Sequence, residues 1–228
     1  RTARGVAFRH DLCRLTIADV IPPGAEPHLH RRMLAAYDAI GGADPAVITH
    51  HAIGARDPER IRSAATDAGV RAARAGAHRQ AADFYRTAME SGAELPAQDE
   101  AALLELVAEQ YYLIDRLDDA IDACRRALLL RRQVGVVADV SADHHAMAVY
   151  QWYNANRSAA DDHVAQAVSV FGAEPDIDGQ APLAALGHGF AMQAFLALQA
   201  SDLNRAEALL YRAVDIAAAA DDAALGVR

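Results

Sequence analysis

The chain has 228 residues, of which 53% are hydrophobic and 6% aromatic, and its net charge is −9. Much of the apolar content is alanine, which favours helices, and the scarcity of aromatic residues argues against a β-rich fold. The acidic balance argues against direct binding of nucleic acid, because non-specific affinity for DNA comes mostly from basic side chains. We therefore expect an all-α protein that does not itself bind nucleic acid.

Cysteine usage and hydropathy predict where the protein resides. Cys13 and Cys124 lie far apart in sequence, which favours buried thiols in a reducing compartment over a disulfide. No apolar run reaches the roughly 20 residues that a membrane-spanning helix needs, and the sequence at Arg1 lacks a signal-peptide pattern. We therefore predict a cytoplasmic protein with no membrane contact. Because the chain begins without Met, we expect it to be a piece of a longer protein.

The first 55 residues predict three short helices. Apolar residues at helical spacing indicate the first two, which end at Pro22-Pro23 and at Gly41-Gly42. Asp44-Pro45 is typical of an N-cap followed by proline at the first helical position, and it begins the third. The predicted helices span residues 8–21, 25–40 and 45–55.

After Asp57-Pro58, which repeats the same start signal, the sequence becomes periodic. Four segments share one pattern: an alanine, a larger residue four positions later, and a second alanine three positions after that. The first alanines lie 39, 40 and 46 residues apart, and a small residue stands twelve positions before each of them. The four sets are Gly69 with Ala81, Tyr85 and Ala88; Ala108 with Ala120, Cys124 and Ala127; Ala148 with Ala160, Val164 and Ala167; and Ala194 with Ala206, Leu210 and Ala213.

This pattern resembles the tetratricopeptide helical-hairpin signature, best matched by Leu104, Val107, Ala108 and Tyr111. Small residues stand where two helices meet, and larger ones fill the groove beside them. We therefore predict a right-handed α-solenoid of antiparallel helical hairpins. Spacings above 34 residues and the missing signature tryptophan make it tetratricopeptide-like. The predicted hairpins pair 58–75 with 77–91, 98–114 with 117–132, 138–154 with 157–171, and 182–200 with 203–219.

Four further motifs follow one another in the first 90 residues. Residues 8–14 have the sequence FRHDLCR, residues 28–32 HLHRR, residues 50–52 HHA, and residues 76–82 GAHRQAA. In this order they resemble part of the large LuxR-type ATP-binding transcriptional regulators of actinobacteria. The resemblance implies that residues 1–55 form a helical linker, the end of a preceding winged-helix-like domain. Residues 56–228 then carry about four tetratricopeptide-like hairpins. It also implies that His10, His30 and His51 are packing and hydrogen-bonding residues of the linker.

The same resemblance implies a role within a multidomain regulator. Its ATPase and its DNA-binding helix-turn-helix would lie outside this chain, which contains no phosphate-loop motif. This part would be a non-catalytic sensor or coupling arm that binds a small-molecule inducer or a protein or peptide, and that contacts other domains of its parent. A free-standing tetratricopeptide-like adaptor for protein–protein interactions is the alternative. The sequence upstream of Arg1 would distinguish the two.

Catalytic and metal-site patterns find little support in the sequence. Of the ten histidines, His28 and His30 are two apart, while His50-His51 and His144-His145 are adjacent. Neighbouring helical positions face different directions, so none of these pairs forms an i, i+4 chelate. No cysteine cluster and no G-x-S-x-G elbow is present. We predict no catalytic residue, no cofactor and no metal site.

The first helix of each hairpin predicts a binding groove, because these helices line the inside of such superhelices. The groove would be aromatic with an acidic edge, suited to a basic or apolar peptide or to a cationic small molecule. The alternative is that Trp152 and Tyr153 simply pack between neighbouring hairpins. Exposed end hairpins also favour self-association, so a homo-oligomer is a further expectation. The candidate residues are Glu105, Glu109, Tyr112, His145, Val149, Trp152, Tyr153, His188 and Phe195.

Overall fold

A computed structural model describes residues 12, 15, 16, 20–22, 24–172 and 180–220, with side chains for all of these except 180 and 181. Within these residues the chain forms ten helices from residue 26 onward and no strand. Most of the predicted helix 8–21, with His10 and Cys13, lies outside the described residues, as does most of the predicted loop after Gly172. None of the described helices is both long enough and apolar enough to cross a bilayer.

The ten helices confirm the all-α prediction, and their bounds follow the predicted spans closely. The first two helices cover the predicted spans 25–40 and 45–55, and the remaining eight form the four predicted hairpins. In chain order they are α1 (Glu26–Ile40), α2 (Pro45–Ala55), α3 (Pro58–Arg74), α4 (His78–Met89), α5 (Ala97–Leu113), α6 (Leu117–Val134), α7 (Val137–Tyr153), α8 (Arg157–Ser169), α9 (Gln180–Gln199) and α10 (Leu203–Ala220).

Aspartate caps begin α2 and α3, as the sequence predicts. The Asp44 carboxylate accepts a hydrogen bond from the Ala46 N–H at 3.0 Å, and Asp57 accepts one from the Arg60 N–H at 3.1 Å. A proline occupies the first turn of both helices, where its missing N–H removes no helical hydrogen bond. The caps satisfy backbone donors that would otherwise remain unpaired at these helix starts.

The turn inside each hairpin has the same backbone geometry in all four repeats. The residue five positions before the first alanine of each set has a positive φ, and the next N–H donates a hydrogen bond at 2.9 Å to the carbonyl five residues earlier. This arrangement ends the first helix and turns the chain into the second. The four positive-φ residues are Gly76 (74°), Asp115 (62°), Ala155 (58°) and Ser201 (63°).

The repeated small residues lie where the two helices of each hairpin touch. Gly69 shows how close this contact is, because a Cβ built at this position would overlap the Tyr85 ring. The other small residues and both alanines of every set are buried as well. The packing predicted from the alanine period is therefore confirmed in all four hairpins.

The larger residue of each set is buried where another hairpin follows. Tyr85 and Cys124 are each 1% exposed and Val164 is 3% exposed, whereas Leu210 in the last hairpin is 37% exposed. Each of the first three side chains lies between its own hairpin and the next, and no described helix follows α10. Leu210 therefore lacks the cover that its counterparts receive.

The hydrophobic core is a series of clusters along the array. The first joins α1, α2 and α3 through Leu34, Ala52 and Ile61, and the largest joins α3 to α7. Two further clusters join α7 to α9 and α8 to α10. Each hairpin thus packs on its sequence neighbours, as expected for a solenoid.

Helices α1 and α2 continue the stack onto α3. Ala55 and Ile61 are buried at the α2–α3 contact, and Asp38 of α1 forms an ion pair with Arg60 of α3. The division of the chain into a linker over residues 1–55 and repeats over 56–228 remains a prediction.

The positive φ of Ala155 provides a test of the turn geometry. A left-handed backbone costs an alanine roughly 1–2 kcal/mol, and glycine avoids this cost while losing part of the gain to the entropy of the unfolded chain. We expect Ala155→Gly to raise the free energy of unfolding by about 0.5–1 kcal/mol, measured by urea denaturation.

The matched control is Ala142→Gly at an exposed site inside α7. This change should lower the free energy of unfolding by about 1 kcal/mol, because glycine is unfavourable within a helix. An equal loss of stability in both variants would contradict the turn geometry.

Candidate functional site

Three first helices, α5, α7 and α9, carry the predicted groove residues. Helix α5 contributes Tyr112, and α9 contributes His188 and Phe195, on either side of α7 along the array. Helix α7 supplies four residues, namely His145, Val149, Trp152 and Tyr153. Val149 is half-buried and packs against the cores of both neighbouring hairpins. Helix α7 therefore forms the centre of the candidate site.

Aromatic contacts join these helices pairwise. The Tyr112 ring lies 5.4 Å from that of Tyr153, and the Trp152 ring meets Phe195 edge-on at 5.5 Å. Such edge-to-face contacts add to the stabilisation from burial alone. We call Tyr112, Trp152, Tyr153 and Phe195 the aromatic row. Because its two contacts cross two junctions between hairpins, the row joins three successive repeats.

A histidine pair forms another contact between α7 and α9. The rings of His145 and His188 lie 6.0 Å apart, centre to centre, and both side chains are half-buried. Each predicted aromatic or histidine residue of the groove thus contacts another one on a neighbouring first helix.

Exposure differs strongly along the aromatic row. Tyr153 is 61% exposed and Phe195 37%, whereas Trp152 is half-buried. The Arg157 guanidinium lies 5.3 Å from the Trp152 ring centre, a distance typical of a cation–π contact. Trp152 therefore serves the junction between hairpins, as the packing alternative expects, while Tyr153 and Phe195 expose apolar surface to solvent.

The two predicted glutamates of α5 have different surroundings. Glu105 accepts a hydrogen bond from Arg131 of α6 at 2.6 Å, so its charge is neutralised inside the hairpin. Glu109 is exposed. A shallow cleft of about 300 Å³ is lined by Tyr112, Tyr153 and Asp115 among others. Of these acidic groups, Glu109 and Asp115 are exposed, whereas Glu105 is paired with Arg131.

A partly buried ionic cluster around Arg131 joins α5, α6 and α7. Arg131 pairs with Glu105 and, at 3.1 Å, with Asp139 of α7. Asp143, one turn further along α7, is 3% exposed, and its Oδ2 has no hydrogen-bond partner among the described residues. Burial, with the Glu105 and Asp139 carboxylates and against the opposing Arg131, raises the pKa of Asp143 to about 8. This carboxyl group is therefore mostly protonated at neutral pH.

A second buried polar pair lies between α7 and α8. The Nδ1 atoms of His144 and His163 are 2.9 Å apart, and an Arg132 nitrogen lies 3.0 Å from Nε2 of His144. Burial, followed by His163 and Arg132, lowers the pKa of His144 to about 4. Both rings are thus held neutral and hydrogen-bonded in the contact between helices.

The thiol of Cys124 is buried beside Asp143. Its Sγ lies 3.5 Å from the Asp143 carbonyl oxygen, and it is a free cysteine, as predicted. Burial raises its pKa, with smaller contributions from Asp143 and Glu105, so the nucleophilic thiolate is disfavoured. Its role is packing.

Histidines from α1 and α2 form a separate group. Among the described residues, His30, His50 and His51 are the set whose ligand atoms converge closely enough to hold a metal ion. Because these histidines lie on two helices, the spacing of histidines within one helix could not predict the group. His28 lies on α1 with His30 and is exposed.

The raised pKa of Asp143 predicts a pH dependence of stability. Because the folded-state pKa of about 8 exceeds the unfolded value of about 3.9, folding favours the protonated form, and this contribution is lost as pH rises from about 4 to 8. Relative to Asp143→Asn, the wild type should lose up to about 1.4 kcal/mol of unfolding free energy per pH unit in that window. Urea denaturation at several pH values measures the difference.

Asp161→Asn, at an exposed carboxyl group of α8, is the matched control and should follow the wild type at every pH. Parallel profiles for the wild type and Asp143→Asn would show that Asp143 is ionised in the folded protein.

Comparisons with known proteins bear on the fold. No family model matches the chain, and no curated protein matches it. The structure of BtubC (BKLC) from P. vanneervenii is similar over 93% of this chain and 87% of that one, with 21% identity and a TM-score of 0.63.

Two MamA structures are also similar. One covers 72% of this chain and 86% of its own, at 12% identity and a TM-score of 0.52. The other, the MamA RS-1 ArsTM double mutant, covers 88% and 99%, at 13% identity and a TM-score of 0.55. At these identities the likeness concerns the fold alone. The chain has the fold predicted from its alanine period, a right-handed tetratricopeptide-like α-solenoid of antiparallel helical hairpins.

Proposed function

We propose that this chain is a non-catalytic binding arm that holds a peptide segment of a protein partner on the aromatic row. The observation that carries the proposal is the pair of aromatic contacts that links α5 to α7 and α7 to α9, with Tyr153 and Phe195 exposed. Binding energy in protein interfaces concentrates on aromatic anchors of this kind. Rigid helices on either side hold these rings before a ligand arrives, which lowers the entropic cost of binding.

The chemistry of the row favours a peptide over a small cation. A cationic ligand would seek the face of Trp152, and Arg157 already lies over that ring. The exposed rings of Tyr153 and Phe195 suit apolar side chains instead. A segment with an apolar anchor therefore fits better than a cationic small-molecule inducer.

Charge at the edge of the row selects the flanking residues of that peptide. Glu109 and Asp115 are exposed, whereas Glu105 is paired with Arg131. The chain as a whole carries a net charge of −9. Basic residues beside the apolar anchor would thus gain favourable electrostatics and faster association.

A non-catalytic role agrees with the state of the buried titratable groups. Asp143, His144 and Cys124 have pKa values shifted towards their neutral forms, and all three are buried between helices. Buried groups without access for a substrate serve packing and hydrogen bonding.

We further propose that the arm belongs to a LuxR-type multidomain regulator. The support is the order of the FRHDLCR, HLHRR, HHA and GAHRQAA motifs in the first 90 residues. In such a protein the bound partner would favour one arrangement of the array and so bias the ATPase that precedes it. The protein would then act in the cytoplasm, in contact with the other domains of its parent.

Peptide display against the purified chain tests the binding proposal. Selected peptides should share an aromatic or aliphatic anchor flanked by lysine or arginine. The double variant Glu109→Lys with Trp152→Ala should bind the best peptide at least about thirtyfold more weakly, because it reverses the edge charge and removes the ring that supports Phe195. Fluorescence anisotropy of a labelled peptide measures the affinity.

A matched double variant carries the same kinds of change on second helices. Asp161 of α8 and Tyr211 of α10 are both exposed, so Asp161→Lys with Tyr211→Ala should retain wild-type affinity. Circular dichroism melting checks that both double variants fold. A folded groove variant that binds the peptide as tightly as the wild type would refute the aromatic row as the site.

The genomic sequence upstream of codon 1 tests the regulator proposal. We expect an open reading frame that continues upstream and encodes a G-x-x-x-x-G-K-[ST] phosphate loop. A start codon in place of residue 1 would favour the free-standing adaptor instead.

A further inference from the structure

Three imidazoles converge between α1 and α2. The Nδ1 atoms of His30 and His51 are 2.9 Å apart, and the ligand atoms of His30, His50 and His51 all lie within 4.8 Å of one another. The ring centres are 5.1–5.5 Å apart. His50 is exposed, and the other two are half-buried, so the group opens to solvent on one side.

Helix geometry explains this convergence. On α2, Gly54 lies four positions after His50 and three after His51, so all three share the side that faces α1. A Cβ at Gly54 would overlap the His30 ring, which is therefore seated directly against the α2 backbone. Leu34 and Ala52 are buried in the cluster that holds the two helices together. The three ligands thus stand on regular helices fixed by a packed core.

A hydrogen bond accounts for part of this arrangement. His30 and His51 can share one proton between their Nδ1 atoms, with one ring donating and the other accepting. This hydrogen bond does not involve the third ring, that of His50, which also lies against both other rings. A metal ion would occupy the shared position while the proton moved to Nε2 of the donor ring, and His50 would complete the set.

We propose that His30, His50 and His51 form a binding site for a divalent transition-metal ion, Zn²⁺ being the expected occupant. Zinc binds imidazole nitrogen at about 2.0–2.1 Å, which places two nitrogens of a tetrahedral site about 3.3 Å apart. The 2.9 Å separation lies within a few tenths of an ångström of that value. Three neutral imidazoles leave the fourth position open towards solvent.

The ligand set also determines which ions are excluded. Imidazole suits Zn²⁺, Cu²⁺ and Ni²⁺, whereas Mg²⁺ and Ca²⁺ require oxygen ligands, and the site is built from nitrogen alone. Selectivity for a transition metal over Mg²⁺ is therefore inherent in the three side chains.

Another histidine pair shows the contrast. His144 and His163 have the same Nδ1 separation of 2.9 Å, yet an Arg132 nitrogen lies 3.0 Å from His144. A guanidinium at this distance repels a second cation, and no third histidine joins the pair within the described residues. The α7–α8 pair therefore serves as an internal control.

Isothermal titration of the tag-free, chelator-treated chain with Zn²⁺ tests the proposal. We expect one equivalent of Zn²⁺ to bind and Mg²⁺ to give no signal at the same concentration. His50→Gln and His30→Gln should each weaken Zn²⁺ binding at least about tenfold. His28→Gln on α1 and His163→Gln on α8 are the matched controls and should retain wild-type affinity and stoichiometry.

Two measurements separate loss of a ligand from loss of the fold. His50 is exposed, so His50→Gln should keep the helical circular dichroism and melting temperature of the metal-free wild type. Independently, Co²⁺ added to the wild type should give the strong visible absorption of a low-coordinate nitrogen site, and His50→Gln should abolish it.

Two outcomes would overturn the metal site. One is Zn²⁺ binding to the wild type that is no tighter than to folded His50→Gln. The other is an equal loss in His28→Gln or His163→Gln, since this would place the ion elsewhere. Neither outcome would bear on peptide binding by the aromatic row, which lies on α5, α7 and α9.

Discussion

The close approach of paired helices at alanine and glycine positions determines the rest of this structure. Ala81, Ala120 and Ala160 are fully buried, and Gly69 lies beneath the Tyr85 ring without space for a Cβ. Because small residues fill the contact inside each hairpin, bulky side chains are placed between hairpins, where the next repeat covers them. Stability therefore accumulates interface by interface along the chain, and each repeat depends on its neighbours. The proposed binding surface has the same origin, since the aromatic row occupies the contacts between first helices.

Local sequence patterns were sufficient to predict the helices and their pairing. Alanine periodicity located the four hairpins, and Asp44-Pro45 and Asp57-Pro58 marked two helix starts that the structure confirms. The predicted hairpin bounds located the turns at Asp115, Ala155 and Ser201, but not their left-handed backbone. Glycine is the residue that indicates a positive φ in a sequence, and it is present in this turn only at Gly76. In the other three hairpins the same turn is formed by residues that carry a Cβ, for which the left-handed backbone costs more than for glycine.

In the candidate site, too, local sequence patterns predicted some features and could not predict others. Helical spacing predicted Trp152 and Tyr153, three and four positions after Val149, on the groove side of α7, since residues three and four apart share a side of a helix. The pairing of Glu105 with Arg131, 26 residues away, could not be predicted, because no local period relates positions on different helices. The same limit applies to Asp143 and to the convergence of His30 with His51, each of which depends on how two helices are placed together.

The chain contains a single tryptophan, and Trp152 lies where α7 meets α9, with the Phe195 ring on one side and the Arg157 guanidinium over its face. Indole emission depends on the polarity and charge around the ring, so the tryptophan emission of the protein, as distinct from that of its seven tyrosines, comes from this one junction. The molecule thus carries a built-in optical reporter for the contact between its third and fourth hairpins. Opening of that contact would change the tryptophan emission spectrum while the other repeats stayed folded and contributed no tryptophan signal.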